Sequence, residues 1–192
     1  MVKAGTNCEA KAGVFLDRDG VLNVPDFRNG RSYAPLSVDD FKLYPETKPA
    51  LEKLKLLGVM LVVVTNQPDI ANGKLKRAEL EKMHKILCRE LPVDLIEVCA
   101  HGRDEICDCR KPRTGMLINA AKELSINLSK SFMVGDRKSD IVVGENVGAK
   151  TVFIDHGYTN DPLPDSYDFS CFNIGEAATW ICDQLRCSSA KK

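Results

Sequence analysis

The sequence lacks an excess of charge of either sign. It contains 27 Lys and Arg residues against 27 Asp and Glu residues, so its formal net charge is zero. A chain without net positive charge provides little of the general attraction that holds the phosphate backbone of a nucleic acid. We therefore expect no nucleic-acid partner, and we expect a small-molecule substrate.

Long hydrophobic runs are also missing. The longest apolar run, residues 59–64, is far shorter than the roughly 20 residues that a membrane-spanning helix needs. Residues 1–12 contain no apolar run of the length that is typical of a signal peptide. These absences argue against a membrane span and predict a cytoplasmic protein.

The composition is that of a globular protein, with 44% hydrophobic and 28% charged residues. A chain of 192 residues is long enough to bury a substantial core within one domain. We predict a single domain over residues 1–192, with its core spanning about residues 13–187. No separate apolar stripe is evident in the sequence, so we expect a monomer.

Cysteine, in contrast, is abundant, with eight residues at uneven spacing. Two closely spaced pairs of soft ligands, Cys99 with His101 and Cys107 with Cys109, are typical of a tetrahedral zinc site. Four protein ligands fill such a coordination sphere, so the zinc is predicted to be structural and to order a loop over residues 99–112. The other cysteines are predicted to be ordinary thiols: Cys8, Cys88, Cys171, Cys182 and Cys187.

Strand and helix signals alternate along the chain. Segments with helical periodicity separate five predicted strands, at residues 14–16, 59–65, 94–98, 131–134 and 151–154. A short sixth strand within 168–174 and a helix at 175–187 complete the prediction, while residues 23–44 are predicted to form a polar loop. This alternation predicts an α/β fold in which a parallel sheet lies between two layers of helices.

The first predicted strand runs directly into the acidic sequence Asp17-Arg18-Asp19-Gly20. Side chains alternate along an extended chain, so we expect Asp17 and Asp19 on one side of the strand and Arg18 on the other. Two like charges held side by side oppose folding unless a cation or a substrate uses them. On this stretch alone, an acidic surface turn and a catalytic pair of carboxylates are equally consistent with the sequence.

Polar clusters follow other predicted strands as well. Residues 65–67 end the second strand, the Cys/His segment ends the third, and Asp136 with Asp140 follows the fourth. In parallel α/β sheets, ligands bind beyond the carboxyl ends of the strands, where the strand order reverses. The polar clusters therefore lie where this rule places a ligand site, one at each strand end.

Taken together, these motifs resemble those of the haloacid dehalogenase (HAD) superfamily, in its phosphatase branch. Four segments carry the resemblance: Asp17-Arg18-Asp19-Gly20, Thr65-Asn66-Gln67, Arg110-Lys111-Pro112, and Gly135-Asp136-Arg137 with Asp140. The Cys/His segment narrows the resemblance to the group of histidinol phosphatases and D,D-heptose 1,7-bisphosphate phosphatases. It implies a Rossmann-like three-layer α/β/α fold with strand order 5-4-1-2-3, a zinc-binding loop and no large cap domain.

The resemblance also implies a division of labour among the site residues. Asp17 is expected to be the nucleophile that forms an aspartyl-phosphate, and Asp19 the general acid and base. Asp17, Asp136 and the backbone carbonyl of Asp19 are expected to bind Mg²⁺. Lys111 is expected to neutralise the phosphate, and Asp140 is expected to orient Lys111 or a metal-bound water and not to bind Mg²⁺ directly. The remaining predicted phosphate ligands are Thr65, Asn66, Gln67, Arg110 and Arg137.

The far end of the substrate is indicated by weaker signals. Residues 23–44 carry Arg28, Arg31 and Tyr33, which can hold sugar hydroxyls or a second phosphate, or can stay solvated. With Arg110 and Arg137, this excess of cations favours a bisphosphate. The resemblance then implies removal of the 7-phosphate of D-glycero-D-manno-heptose 1,7-bisphosphate, in the synthesis of nucleotide-activated heptose.

Two alternative functions remain open at this point. Histidinol phosphate carries one phosphate and an amine, so a histidinol-phosphate phosphatase needs acidic groups at the far end of the site instead of arginines. A catalytically inactive, zinc-stabilised binding module is favoured if a catalytic residue is missing. All four of Asp17, Asp19, Lys111 and Asp136 are present.

Overall fold

The computed structural model of this chain describes residues 10–189. Within them, the strands are Gly13–Leu16 (β1), Asp26–Arg28 (β2), Arg31–Tyr33 (β3), Met60–Asn66 (β4), Leu95–Cys99 (β5), Phe132–Gly135 (β6), Lys150–Ile154 (β7) and Phe169–Cys171 (β8). Cys8, predicted to be an ordinary thiol, and both ends of the predicted domain lie outside the described residues.

The helices are Thr47–Lys55 (α1), Arg77–Glu90 (α2), Gly115–Glu123 (α3), Lys138–Asn146 (α4) and Ile174–Ser189 (α5), and a short 3-10 helix covers Leu128–Lys130. None of the helices in the described part of the chain is long and apolar enough to cross a membrane.

Six strands form one parallel sheet in the order β5-β4-β1-β6-β7-β8. The predicted α/β class is confirmed, and the five main strands take the expected order. The difference is β8, the short strand within residues 168–174, which pairs with β7 and extends the sheet by one strand at that edge. The strand order reverses at β1, so β1 lies between β4 and β6 in the centre of the sheet.

The central strands are apolar because helices cover both faces of the sheet. Val14 and Leu16 of β1 face one core cluster, together with buried residues of α1, α2 and α5. Phe15 faces the other cluster, which includes Met116 and Leu117 of α3. The alternation of side chains along β1 thus supplies both cores, and the strand holds its carboxyl end at a fixed position.

The prediction of a polar loop over residues 23–44 is wrong in part, because β2 and β3 form an antiparallel hairpin there. Asn29 and Gly30 both have positive φ, of 51° and 71°, as a tight Asn-Gly hairpin turn requires. All three residues of β2 are exposed, so the strand shows no apolar alternation that would reveal it in the sequence. The hairpin stands beside the carboxyl edge of the sheet, where the Arg137 side chain donates to the Ser32 hydroxyl at 2.6 Å.

Candidate active site

Neighbouring strands bring three carboxylates together at the carboxyl edge of the sheet. Asp17 follows β1 and Asp136 follows β6, and the Asp17 N–H donates to the carbonyl of Val134 at 2.9 Å. Asp140 lies in the first turn of α4. All three are buried, and one carboxylate oxygen from each lies within 4.8 Å of the corresponding oxygens of the other two. The structure therefore places these predicted site residues in a single cluster.

Lys111 provides the cation of this cluster. Its Nζ lies 2.6 Å from Oδ1 of Asp17 and 2.7 Å from Oδ1 of Asp140, and the residue is only 4% exposed. Burial lowers the pKa of Lys111, but attraction to Asp140 and Asp17 outweighs burial, and the net pKa is raised. Lys111 is thus a positive charge in contact with both Asp17 and Asp140. The orienting role of Asp140 stays a prediction.

One ammonium group does not neutralise three buried carboxylates. Burial, with smaller contributions from Asp140 and Asp19, raises the pKa of Asp17 to about 6 although Lys111 opposes this. Burial and then the charges of Asp17 and Asp140 raise the pKa of Asp136 well above its ordinary value. Both oxygens of Asp136 are buried without a hydrogen-bond partner among the described residues. Unpartnered carboxylate oxygens in a cluster with surplus negative charge fit a hard cation.

Three side chains hold the carboxylate of Asp19. Nη2 of Arg18 lies 2.9 Å from both oxygens, Nδ2 of Asn23 donates to Oδ1 at 3.0 Å, and Nε2 of Gln67 donates to Oδ2 at 2.8 Å. The expectation that Arg18 points away from Asp19 is wrong, because the buried Arg18 guanidinium contacts both oxygens of the Asp19 carboxylate. The chain turns after Asp17, because the N–H groups of Leu22 and Asn23 donate to the Arg18 carbonyl, and strict alternation ends there.

Arg18 is itself held from the helix side. Its Nη1 donates to Nε2 of His84 on α2 at 3.2 Å, and its guanidinium lies 5.6 Å from the centre of the Phe41 ring. Burial and then the charge of Arg18 lower the pKa of His84 to about 4, although Asp19 opposes the shift. The sequence analysis assigned no role to Arg18 or His84. The one signal for Arg18 was its position between two candidate catalytic acids, Asp17 and Asp19.

Residues 65–67, the second of the four motifs, hold the candidate catalytic side chains in place. Asn66 donates to the backbone carbonyl of Lys111 at 3.2 Å and accepts from its N–H at 3.1 Å. Gln67 donates to the Thr65 hydroxyl at 2.9 Å as well as to Asp19. Thr65 and Gln67 are buried, at 1% and 0% exposure. These contacts position Asp19 and Lys111, while direct contact of the three residues with phosphate stays a prediction.

A cavity of about 290 Å³, here called the catalytic cavity, opens above these groups. Sequence reasoning missed several of its walls, among them Asp69, Arg103 and Ser139. The lining comprises Asp17, Asp19, Ser32, Tyr33, Ala34, Asn66, Pro68, Asp69, Arg103, Arg110, Lys111, Arg137, Ser139 and Asp140.

Arg110 and Arg137 line this cavity but also tie loops to the site. Arg110 donates to the carbonyls of His101 and Gly102, the latter at 3.2 Å. Arg137 donates to both the backbone carbonyl and the hydroxyl of Ser32, which fixes the hairpin. Each guanidinium therefore has structural partners within the protein, and its predicted contact with phosphate stays a prediction.

Gly20 allows the turn after Asp19 to approach Asp136. Its φ of +93° is disfavoured for other residues, and a Cβ there would lie 2.1 Å from Oδ2 of Asp136. His156, from the loop after β7, donates through Nε2 to the Gly20 carbonyl at 2.7 Å. Burial and the charge of Asp136 raise the pKa of the nearby Tyr158 hydroxyl. The loop after β7 thus closes the site over Asp136.

The Cys/His cluster lies at the end of β5 and on the loop that follows. Nδ1 of His101 is 3.6 Å from the sulfur of Cys99 and 3.2 Å from that of Cys109, and the sulfurs of Cys99 and Cys107 are 3.8 Å apart. Burial, with the neighbouring Cys99 and Cys107 thiols, raises the pKa of Cys109 to about 12. Three adjacent thiols resist joint ionisation unless a cation is shared among them, so the donor set suits a soft metal ion.

Comparison with known proteins agrees with this geometry. The model of the family described as HAD-hydrolase-like matches residues 108–186. A D-glycero-beta-D-manno-heptose-1,7-bisphosphate 7-phosphatase of Helicobacter pylori is 34% identical over 175 residues, covering 88% of this chain and 95% of the relative. The chain belongs to this family of HAD-type phosphatases. The relative of the same name in Escherichia coli K12 is 37% identical, and the match covers 90% of this chain and 88% of the relative.

Solved structures of the phosphatase family share the fold. D,D-heptose 1,7-bisphosphate phosphatase from B. bronchiseptica, solved with magnesium and phosphate, has a TM-score of 0.76 and 26% identity, and the match covers 90% of this chain and 99% of that one. A HAD-like phosphatase from Mesorhizobium loti has a TM-score of 0.70 and 27% identity, covering 92% and 85% of the two chains. As a member of this family, the chain is a phosphoric monoester hydrolase.

Proposed function

We propose that this phosphatase removes the 7-phosphate of D-glycero-D-manno-heptose 1,7-bisphosphate through an aspartyl-phosphate on Asp17. The observation that carries the proposal is the buried cluster of Asp17, Lys111, Asp136 and Asp140 beneath a polar cavity. The choice of substrate is supported by the names of the relatives and by their sequence identity to this chain.

Asp17 is the nucleophile in this proposal. A carboxylate approaching a phosphate is repelled by about 4 kcal/mol per unit charge pair at 4 Å and an effective dielectric near 20. Lys111, 2.6 Å from Oδ1 of Asp17, offsets part of this repulsion and also orients the attacking carboxylate. Asn66 fixes the backbone from which Lys111 extends.

Asp19 moves protons in both halves of the reaction. As the phosphorus–oxygen bond to the sugar breaks, Asp19 gives a proton to the departing oxygen, and it later takes a proton from the water that hydrolyses the aspartyl-phosphate. Its side chain is 13% exposed, so it can reach both the cavity and its buried donors. The contacts from Arg18, Asn23 and Gln67 fix the direction in which this carboxyl group faces.

Asp17, Asp136 and the backbone carbonyl of Asp19 would hold Mg²⁺. The unpartnered oxygens of Asp136 and the surplus of buried negative charge fit an ion with all-oxygen ligands. Bound there, Mg²⁺ would neutralise charge on the transferring phosphoryl group.

Cys99, His101, Cys107 and Cys109 would hold a structural Zn²⁺. Metal–sulfur bonds of about 2.3 Å in a tetrahedron place neighbouring sulfurs about 3.8 Å apart, and Cys99 and Cys107 are 3.8 Å apart. Arg110 and Lys111 follow the last ligand of this loop directly. An ordered loop would therefore fix the position of the Lys111 backbone. The four ligands leave no open position for catalysis.

Both alternatives are less well supported. The polar space beyond the catalytic cavity is lined by Arg28, Lys74 and Arg103 against the single acid Asp69, which opposes binding of the amine of histidinol phosphate. An inactive binding module is disfavoured because the four catalytic groups converge with Lys111 in hydrogen-bond contact with Asp17.

We further propose a cytoplasmic monomer without a nucleic-acid partner, to be tested by size-exclusion chromatography and cell fractionation.

The direct test measures phosphate release by the purified protein in Mg²⁺ buffer. We expect kcat/KM for heptose 1,7-bisphosphate to exceed that for histidinol phosphate by on the order of 100-fold, which corresponds to about 2.7 kcal/mol. Comparable values for the two substrates would contradict the heptose assignment. Hydrolysis of neither, with bound metal verified, would favour the inactive module.

A further inference from the structure

Arg18 holds the carboxylate of Asp19 more fully than its other partners do. Nη2 of Arg18 lies 2.9 Å from each of the two oxygens, and Nε lies 3.2 Å from Oδ1. Asn23 and Gln67 each donate to one oxygen of Asp19 only. A carboxylate held through one oxygen can turn about that contact, whereas a donor shared by both oxygens also restrains its rotation. Arg18 therefore sets the direction of the carboxylate.

The Arg18 guanidinium is anchored on its far side. The residue is completely buried, its Nη1 lies 3.2 Å from Nε2 of His84 on α2, and its guanidinium carbon lies 5.6 Å from the centre of the Phe41 ring. A guanidinium has only donors, so Nε2 of His84 must accept, and the imidazole is the neutral tautomer with its proton on Nδ1. The lowered pKa of His84 agrees with a neutral ring. The place of Arg18 thus depends on a lone pair from α2.

Arg18 can act on the site only through Asp19. The Asp19 side chain is 13% exposed and lines the catalytic cavity, whereas Arg18 is fully buried and is not among the lining residues. Its guanidinium therefore does not contact a phosphate in the cavity. A buried ion pair is weak evidence for stability, because desolvation of the two charges offsets their attraction. A need for one fixed direction of the Asp19 carboxylate explains the arrangement better.

We propose that Arg18 is a positioning residue for proton transfer by Asp19, and that His84 fixes Arg18 by accepting from its Nη1–H. The proposal rests on the proposed function, in which Asp19 is the general acid and base. An oxygen of Asp17 bonds to phosphorus while the bond from phosphorus to the leaving oxygen breaks. That oxygen keeps the electron pair of the broken bond and receives the proton of Asp19. Asp19 has to face the leaving oxygen at that moment, and Arg18 sets this direction.

Leaving groups of different basicity separate this role from a purely structural one. Phenyl phosphate and p-nitrophenyl phosphate are similar in shape, but phenoxide is the more basic leaving group and gains more from a proton donor. The ratio kcat/KM includes the departure of the leaving group and excludes the later hydrolysis of the aspartyl-phosphate. We therefore compare kcat/KM for the two aryl phosphates in Mg²⁺ buffer, together with kcat/KM for heptose 1,7-bisphosphate.

Arg18→Lys keeps the charge but lacks the planar fork that reaches both Asp19 and His84. We expect kcat/KM for phenyl phosphate to fall on the order of 10-fold to 100-fold, and that for p-nitrophenyl phosphate to fall far less. His84→Leu should give a smaller change of the same kind, because Arg18 loses its acceptor. His84→Gln keeps an acceptor oxygen and should restore most of the wild-type ratio between the two substrates.

A double-mutant cycle tests whether Arg18 acts through Asp19. Asp19→Asn removes the proton donor, so its ratio between the two aryl phosphates gives the limit of the effect. Arg18→Lys added to Asp19→Asn should leave that ratio unchanged, because no proton transfer remains to be directed. A further selective loss for phenyl phosphate in the double variant would overturn the proposal, since Arg18 would then act independently of Asp19.

Arg77→Lys and Lys85→Leu are the matched controls, because they make similar changes at exposed positions of α2. Neither should change the ratio between the two aryl phosphates. Equal losses for both substrates in Arg18→Lys and His84→Leu would overturn the proposal and leave a structural role alone. Where circular dichroism shows that Arg18→Lys is unfolded, His84→Leu decides, and an unchanged ratio in this folded variant contradicts the proposal.

Failure of the proposed function gives a different result. Hydrolysis of the aryl phosphates without hydrolysis of heptose 1,7-bisphosphate would remove the substrate assignment, and the ratios of the variants would still decide the role of Arg18. Normal hydrolysis of heptose 1,7-bisphosphate with unchanged ratios in the variants would instead remove only the role of Arg18. If the wild type hydrolyses none of the three with bound metal verified, both proposals are wrong.

Discussion

The two groups of metal-binding side chains differ in how the chain assembles them. Asp17, Asp136 and Asp140 come from distant parts of the sequence and are all buried at the end of the sheet. The Cys/His cluster comes from eleven consecutive residues, and only Cys99, the last residue of β5, is buried. The first cluster is therefore positioned by the core, whereas the second is positioned mainly by its own ligands.

This difference has opposite consequences for stability. The sheet forces like charges together at the carboxylate site, so the fold bears an electrostatic cost there in return for a prearranged site. The loop of the Cys/His site has little core of its own, so metal binding has to provide its order. We expect a neutral substitution in the carboxylate cluster to lower activity without lowering stability. A substitution in the Cys/His cluster should instead reduce the local order of its loop.

Asp17→Asn should have the largest effect. We expect phosphatase activity to fall on the order of 10³-fold or more, because the amide cannot act as the nucleophile. Without added metal, the free energy of unfolding at pH 7 should be unchanged or higher. The reason is that burial raises the pKa of Asp17 to about 6, so its ionised form opposes folding above that pH. Steady-state rates and urea unfolding measure the two effects.

Asp183→Asn is the matched control for this substitution, since Asp183 lies on α5 with a side chain that is 64% exposed. It should change neither activity nor stability measurably. Retained activity in Asp17→Asn would contradict the nucleophile assignment, and a large loss of stability would contradict the proposed electrostatic cost.

Cys109→Ser should have a smaller effect on activity and a larger effect on local order. We expect loss of bound zinc, faster amide hydrogen exchange over residues 99–113, and a fall in kcat/KM of about 10-fold to 100-fold, as is typical when support of a site is lost. Lys111 remains held by Asn66, Asp17 and Asp140, which is why the fall is less than for the nucleophile. Exchange measured by mass spectrometry and steady-state rates test this.

Cys88→Ser provides the control, because Cys88 is an exposed thiol on α2 away from the cluster. Zinc content, exchange and rate should all stay at the values of the wild type. If Cys109→Ser loses its zinc but retains normal exchange over residues 99–113, the metal does not order the loop.

Local patterns in the sequence predicted the strands, and the motifs that resemble those of HAD phosphatases predicted which side chains form the candidate site. Apolar runs located β1, β4, β5, β6 and β7, and the rule that strand ends meet at one edge brought Asp17 and Asp136 together. The hairpin β2–β3 was missed, since its strands have three residues each and β2 is wholly exposed. Alternation cannot identify strands that bury so little.

The supporting contacts could not be predicted for a different reason. Arg18 departs from the alternation rule because the chain turns directly after Asp17, and its partner His84 is 66 residues away on α2. Arg103 and Lys74 carry no motif, and only the folded chain shows that they border one cavity. Catalytic groups are limited by chemistry to a few residue types at fixed positions, whereas support and substrate recognition depend on three-dimensional packing.

His84→Gln should have the smallest effect on activity. It tests the contact of His84 on α2 with Arg18, the residue that holds the Asp19 carboxylate. The pKa of His84 is lowered from 6.5 to about 4 in the folded protein, so the unfolded chain binds the proton first as the pH falls. The wild type should lose stability from this group between about pH 6.5 and pH 4, and His84→Gln should lack that part of the loss. Because the ring is partly exposed, we expect a difference of about 1–2 kcal/mol.

Urea unfolding at pH 7 and pH 4.5 measures this difference, and comparing variants cancels the opposite pH dependence of Asp17 and Asp136, whose pKa values are raised. Glutamine keeps an oxygen that can accept from Arg18, so activity at pH 7 should change little. Lys85→Gln, an exposed change on the same helix, should retain the pH dependence of the wild type. An identical pH dependence in His84→Gln would mean that His84 is not kept neutral by its burial beside Arg18.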